Sequence, residues 1–148
     1  MPKRPSDTAI RAWARLERAH RAALGTIEAR LAEAGLPELA WYDVLLELER
    51  AGAPGLRSFQ LQAAMLLQQY NLSRLVDRMA AAGAVTKTPS KEDGRGLVLT
   101  VTRAGRALRR RMWPVYAAAI EEAIGRHLSE AEAETLGKLL GRLYAASL

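Results

Sequence analysis

Leu72-Ser73-Arg74-Leu75-Val76-Asp77-Arg78-Met79-Ala80-Ala81-Ala82-Gly83, followed by Ala84-Val85-Thr86-Lys87-Thr88, marks a change of hydrophobic period. Leu72, Leu75, Val76 and Met79 fall at i, i+3, i+4 and i+7, the spacing of one face of a helix. The spacing predicts a helix from about Gln69 to Ala82, stopped by Gly83. Its other face carries Tyr70, Asn71, Ser73, Arg74, Asp77 and Arg78. From Ala84 to Thr88 the pattern alternates, as in a strand. Leu97-Val98-Leu99-Thr100-Val101-Thr102 is a second strand, rich in β-branched residues. The polar stretch from Pro89 to Gly96 has two glycines and suits a hairpin tip.

Upstream, Pro37 to Ala51 places Trp41, Val44, Leu45 and Leu48 on one helical face. Gly52, Pro54 and Gly55 then break the chain. A short helix is expected from Ser58 to Met65, with Phe59, Leu61 and Met65 as apolar contacts. Two helices joined by a tight turn and followed by a two-stranded ribbon make a winged helix-turn-helix. The polar face of such a second helix is suited to the DNA major groove, which admits one α-helix.

The outer segments are long helices. Ser6 to Ala34 carries the apolar row Ile10, Trp13, Leu16, His20, Leu24, Ile27 and Leu31. At this length a narrow apolar seam usually packs on another chain or a long partner helix. Arg103 to Arg126 is expected to be helical, with Leu108, Met112, Val115, Ala119 and Ala123 on one face and a kink at Pro114. Ser129 and Glu132 form a capping box that opens the last helix. Leu136, Leu139, Leu140 and Leu143 are expected to be its core face. The whole chain thus reads as mainly α: a winged helix-turn-helix with a two-stranded β wing, plus a helical region formed by the N- and C-terminal helices.

The chain has 148 residues, room for one domain, with 49% apolar and 26% charged residues. Its net charge of +6 is unevenly spread. Residues 54–111 hold eleven basic and three acidic groups, more than the whole net charge. A basic block inside a folded domain is the footprint expected for a polyanion partner. With no cysteine, a disulfide scaffold, a thiolate zinc site, a cysteine nucleophile and a thiol switch are excluded. Two distant histidines, His20 and His127, make no metal cluster. No paired carboxylates, Ser-His-Asp set or phosphate-cradling glycine loop points to an enzyme, and no cofactor is expected. No apolar run has membrane-helix length, and no signal core follows the first residues, so a soluble cytoplasmic protein is expected.

The motifs resemble the MarR family of bacterial transcriptional regulators. The residues that carry the resemblance are Leu72-Ser73-Arg74-Leu75-Val76-Asp77-Arg78-Met79, Gly83-Ala84-Val85, Glu92-Asp93-Gly94-Arg95 and Val101-Thr102-Arg103-Ala104-Gly105. They occur in the family's order and spacing. Leu66 stands where the family often has a turn glycine, and Gln68 where it often has a serine cap. The resemblance implies one domain over residues 1–148. Helices in 1–35 and 103–148 would serve dimerisation, and 36–102 would be the DNA-binding winged helix-turn-helix. It also implies a homodimer on a pseudo-palindromic operator in double-stranded DNA, with half-sites about one helical turn apart.

The residues expected to meet DNA are Gln69, Tyr70, Asn71, Ser73, Arg74, Lys87, Lys91 and Arg95. Asn and Gln pair bidentately with adenine and Arg with guanine, whereas lysines on phosphate position rather than specify. The family places its wing arginine, here Arg95, in the minor groove. Ile10, Trp13, Leu16, Leu136, Leu140 and Leu143 are the dimerisation candidates. His20, Trp41, Trp113 and Tyr116 are candidates for a cleft where relatives take small aromatic acids. The absence of cysteine excludes the family's peroxide-sensing branch. The expected function is a homodimeric repressor that a small effector releases. The alternative is a winged-helix adaptor that binds a protein partner, and DNA only non-specifically.

Overall fold

A computed structural model describes residues 1–67, 71–92 and 96–145. In chain order the elements are α1 (Asp7–Glu33), α2 (Leu39–Ala51), β1 (Leu56–Arg57), α3 (Ser58–Ala64), α4 (Leu72–Ala81), β2 (Val85–Pro89), β3 (Leu97–Val101), α5 (Arg103–Ala123), a 3-10 turn (Gly125–His127) and α6 (Glu130–Ala145). The chain divides into two units, residues 31–115 and residues 1–30 with 116–148.

Residues 31–115 have their own core. Val44, Leu45 and Leu48 of α2 meet Leu61 of α3, Leu72, Leu75, Val76 and Met79 of α4, and Leu99 of β3. The i, i+3, i+4, i+7 readings of α2 and α4 are borne out, because all four positions of the α4 face are buried. Phe59 departs from expectation: it is 67% exposed. Two residues are about 200° of helix, so Phe59 cannot share the inward face of Leu61 in so short a helix. Its ring instead lies under the Arg57 guanidinium, 6.0 Å from the ring centroid.

The hairpin forms as expected, with Val85 opposite Val101 and Pro89 opposite Leu97. A third strand was not expected. β1 pairs with β3 through Leu56 opposite Leu99 and Arg57 opposite Val98, giving the order β1-β3-β2. Two residues are too few to show a period, so only the tertiary pairing reveals them. Gly83 closes α4 at φ 77°, a backbone conformation costly for any residue with a Cβ. Ala84 N–H then returns to the Met79 carbonyl at 2.9 Å. Thr102 joins the strand to α5: its hydroxyl donates to the Gly83 carbonyl at 2.6 Å and accepts from Gly105 N–H at 3.0 Å. A Cβ on Gly105 would overlap the Ala84 carbonyl oxygen, so this close approach of α5 needs glycine.

Residues 1–30 and 116–148 behave differently. The capping box is present: Glu132 N–H donates to the Ser129 hydroxyl at 3.2 Å, and Ser129 N–H to Glu132 Oε1 at 2.9 Å. The Ser129 groups hold the Glu132 carboxyl below its ordinary pKa. The backbone N–H acts first, then the side chain. Arg30 donates to Glu122 through Nε and Nη2, at 2.8 and 2.7 Å, and depresses that carboxyl as well. Among the described residues of this unit only Ile27 and Ala119 are buried. Leu136, Leu139 and Leu143, expected as a core face, are 39%, 47% and 59% exposed. Leu140 is half-buried. Among the described residues, α6 therefore leaves most of its expected core face exposed. α5 ends at Ala123 rather than Arg126 and continues through Pro114.

Candidate nucleic-acid interface

α4 begins at Leu72, later than expected, with Asn71 as its N-cap. Asn71 Oδ1 accepts the Arg74 N–H at 3.2 Å. Its oxygen thus satisfies a helix-terminal donor. Asn71 was expected within the helix, with the whole amide available for a groove. The cap leaves only the Nδ2 group to face outward. Gln69 and Tyr70, expected on the same surface, lie outside the described residues.

Ser73, Arg74, Asp77 and Arg78 are exposed, because the opposite face of α4 is held by the core. Asn71, Arg74, Asp77 and Arg78 line a groove of about 520 Å³. The charges along it are not equivalent. Arg78 pairs with Glu38 at 2.9 Å. Lys87 of β2 pairs with Asp77, so its ammonium is already engaged by a carboxylate. Among the described residues, the Arg74 guanidinium has no ion pair, which leaves its five donors to an outside partner. The ion pair with Asp77 that the helical spacing permits is not made, because Asp77 turns to Lys87.

The wing is closed at its base by Ser90 N–H donating to the Gly96 carbonyl at 2.7 Å. Lys91 is exposed on the loop beyond β2. Arg95, the expected minor-groove residue, lies outside the described residues, as do Asp93 and Gly94. The Arg57 guanidinium packs where a side chain on Gly96 would stand, so β1 brings a cation to the base of the wing. Sequence reasoning missed Arg57, since its place depends on the pairing of β1.

Asp43 was also missed. It is 5% exposed on α2, and its carboxylate accepts the Leu66 N–H at 3.1 Å and the Leu67 N–H at 2.7 Å. The available signal was an acidic residue among the apolar positions of α2.

Trp113 stacks on Tyr42, with ring centroids 6.1 Å apart and planes at 25°. Arg109 lies over the same Tyr42 ring at 5.9 Å and pairs with Glu49. The Glu49 carboxylate raises the Arg109 pKa above its ordinary value against the opposing effect of burial, and the Tyr42 hydroxyl adds to the rise. Arg109 thereby neutralises an acidic group of α2. Trp41 packs against the core, His20 is exposed, and Tyr116 is half-buried. Among the described residues no cluster of His, Asp and Glu is arranged to hold a metal. No helix among them is long and apolar enough to cross a membrane.

A three-helix core with a three-stranded wing and an exposed polar helix defines the class as winged helix-turn-helix. Residues 34–96 match the sequence profile of the MarR family. No curated protein matches the chain. Among solved structures it resembles Sco3205, a MarR family transcriptional regulator from Streptomyces coelicolor solved in complex with DNA. That match has 22% identity and TM-score 0.86, covering 100% of this chain and 92% of the other. It also resembles AbsC, a MarR family transcriptional regulator from the same organism, at 24% identity and TM-score 0.80, over 98% and 97% of the chains. A mutant MarR from E. coli complexed with operator DNA matches at 19% identity and TM-score 0.79, over 95% and 99%. These neighbours show that the chain has the fold of MarR-family structures.

Proposed function

We propose that this chain is a homodimeric, sequence-specific DNA-binding repressor that works in the cytoplasm and is released from its operator by a small, aromatic ligand. The observation that carries the DNA reading is the exposed face of α4. There Arg74 has no ion pair among the described residues, beside Ser73 and the outward amide of Asn71. In this reading Arg74 meets a guanine edge or a phosphate, and Gln69, Tyr70, Asn71 and Ser73 share the major groove. Lys91 touches the backbone. Lys87 acts chiefly through Asp77, and Arg95 enters the minor groove. Structural neighbours that carry DNA support the reading.

The dimer is proposed from the uncovered apolar side chains of residues 1–30 and 116–148. Ile10 and Trp13 are 49% and 65% exposed, and Leu16 is half-buried. Leu136 and Leu143 of α6 are exposed with them. Apolar surface left exposed in this way supports an association face. The boundaries proposed for the dimerisation segments are 1–35 and 103–148, with 36–102 reading DNA. The ligand is proposed to act near Trp113, with Trp41, Tyr116 and His20 as further candidates. It shifts the population between DNA-competent and incompetent arrangements through its differential affinity for the two.

The test is a footprint on the DNA flanking the protein's own gene, with competitor DNA at near-physiological salt. A protected two-fold-symmetric site is expected. Salt-sensitive binding without protection at any genomic fragment would overturn the reading and favour the protein-binding adaptor.

A further inference from the structure

We propose that Asp43 is a positioning residue for DNA recognition: its buried carboxylate holds Leu66 and Leu67, just beyond the end of α3, and so helps to set where α4 begins. The inference rests on the DNA reading above and adds a determinant outside the DNA-facing surface.

Asp43 and Ser90 are the buried polar side chains among the described residues. Asp43 sits on α2 among Leu39, Ala40, Val44 and Leu45, all buried. A carboxylate taken out of water in such surroundings needs strong partners. It finds two consecutive backbone donors, Leu66 N–H on Oδ1 at 3.1 Å and Leu67 N–H on Oδ2 at 2.7 Å. Hydrogen bonds to an ionised acceptor are roughly twice as strong as neutral ones. Both donors lie just beyond the end of α3, where Met65 leaves the helix at φ −65°, ψ 140°. Leu66 is 76% exposed, so its side chain does nothing to hold the turn. A few residues later Asn71 caps α4, followed at once by Ser73 and Arg74. Met65 and Leu67 anchor the turn through apolar contact, which is non-directional. The Asp43 bonds supply the direction. A shift of the turn moves the N-terminal end of α4, where the groove-facing side chains are concentrated.

The experiment compares the full-length protein with Asp43→Asn and Leu66→Pro. The first keeps the shape of the side chain but supplies one acceptor oxygen instead of two. The second removes one donor from an exposed position, and Met65 at ψ 140° accommodates a following proline. Each is measured for affinity to the operator, affinity to random duplex, and amide exchange at Leu67; Leu66 is followed as well in Asp43→Asn. The expected result is a loss of about tenfold to a hundredfold in operator affinity. Random-duplex binding and its salt slope stay within about twofold, since phosphate contacts persist. The turn amides exchange faster. A purely structural role would lower both affinities together with the folded fraction, and that outcome overturns the proposal. Operator affinity unchanged in both variants overturns it too, while leaving the DNA reading intact. Wild-type protein that protects no operator overturns the DNA reading itself, and the positioning role with it. If Asp43→Asn fails to fold, Leu66→Pro decides.

Discussion

In residues 31–115, Leu45, Leu48, Leu61, Leu75 and Met79 are sealed from solvent, and three helices and a sheet meet on them. In residues 1–30 and 116–148, only Ile27 and Ala119 are buried among the described residues, while Trp13, Leu143 and Tyr144 are 65%, 59% and 69% exposed. The apolar periodicity is comparable in both. The difference lies in what covers it. In the first region the helices are short and separated by tight turns, so their apolar faces converge from several directions. In the second the faces run along long helices, and one chain offers them too little apolar partner surface. The first region is built to fold on itself and to present α4. The second leaves these apolar side chains exposed, and a two-fold partner is proposed for it.

The sharpest way to break this contrast is a charge on the uncovered face. Leu143→Asp is expected to convert a dimer to monomers in sedimentation, at a cost of the order of 3–5 kcal/mol for a charge left unpaired in an interface. A dimer that survives would remove Leu143 from the interface. The converse change empties the closed core. Leu75→Ala should lower unfolding stability by about 2–5 kcal/mol, read from denaturant midpoints. The folded protein should still sediment as a dimer. Joint loss of folding and association under conditions where the variant is mostly folded would deny that the two regions are separable.

A smaller effect sharpens the role of the first region. Arg74→Ala should weaken operator binding by about 1–3 kcal/mol and leave melting and dimerisation unchanged. An unaltered operator affinity would show that its unpaired guanidinium faces only solvent. The smallest effect is one of pH and belongs to the second region. Glu122 and Glu132 are held below the ordinary carboxylate pKa of 4.5 by Arg30 and by Ser129. A depressed carboxylate contributes stability above its unfolded pKa, and that contribution is lost as pH falls through the folded value. Acidification through and below pH 4.5 should therefore loosen the start of α6, seen as faster exchange of the Glu132 amide. Protection that rises on acidification would contradict the sign.

Much of this was legible before any coordinates. Leu72, Leu75, Val76 and Met79 announced α4 and its buried face, because a 3.6-residue period is a purely local property. Ser129 and Glu132 announced the start of α6 for the same reason. The change to alternation announced the hairpin. The candidate site was legible in outline only. The exposed face of α4 followed from the buried one, but which of its charges were engaged did not. Arg74, Arg78 and Lys87 are all basic in the sequence. Glu38 and Asp77 single out two of them only once α4 and β2 are in place.

By itself, then, the sequence determined the order of the helices and the hairpin, the inward faces of α2 and α4, and the charge of the surface they present. The tertiary structure alone decided that Leu56 and Arg57 make a third strand. It alone decided that Asn71 caps α4 and that Asp43 reaches a turn 23 residues away. It also left Leu136, Leu139 and Leu143 of α6 exposed among the described residues. The physical reason is common to these cases. Helix period, capping and charge are short-range properties written in neighbouring residues. Strand pairing, a buried carboxylate's partners and the cover on an apolar face depend on segments that only folding brings together.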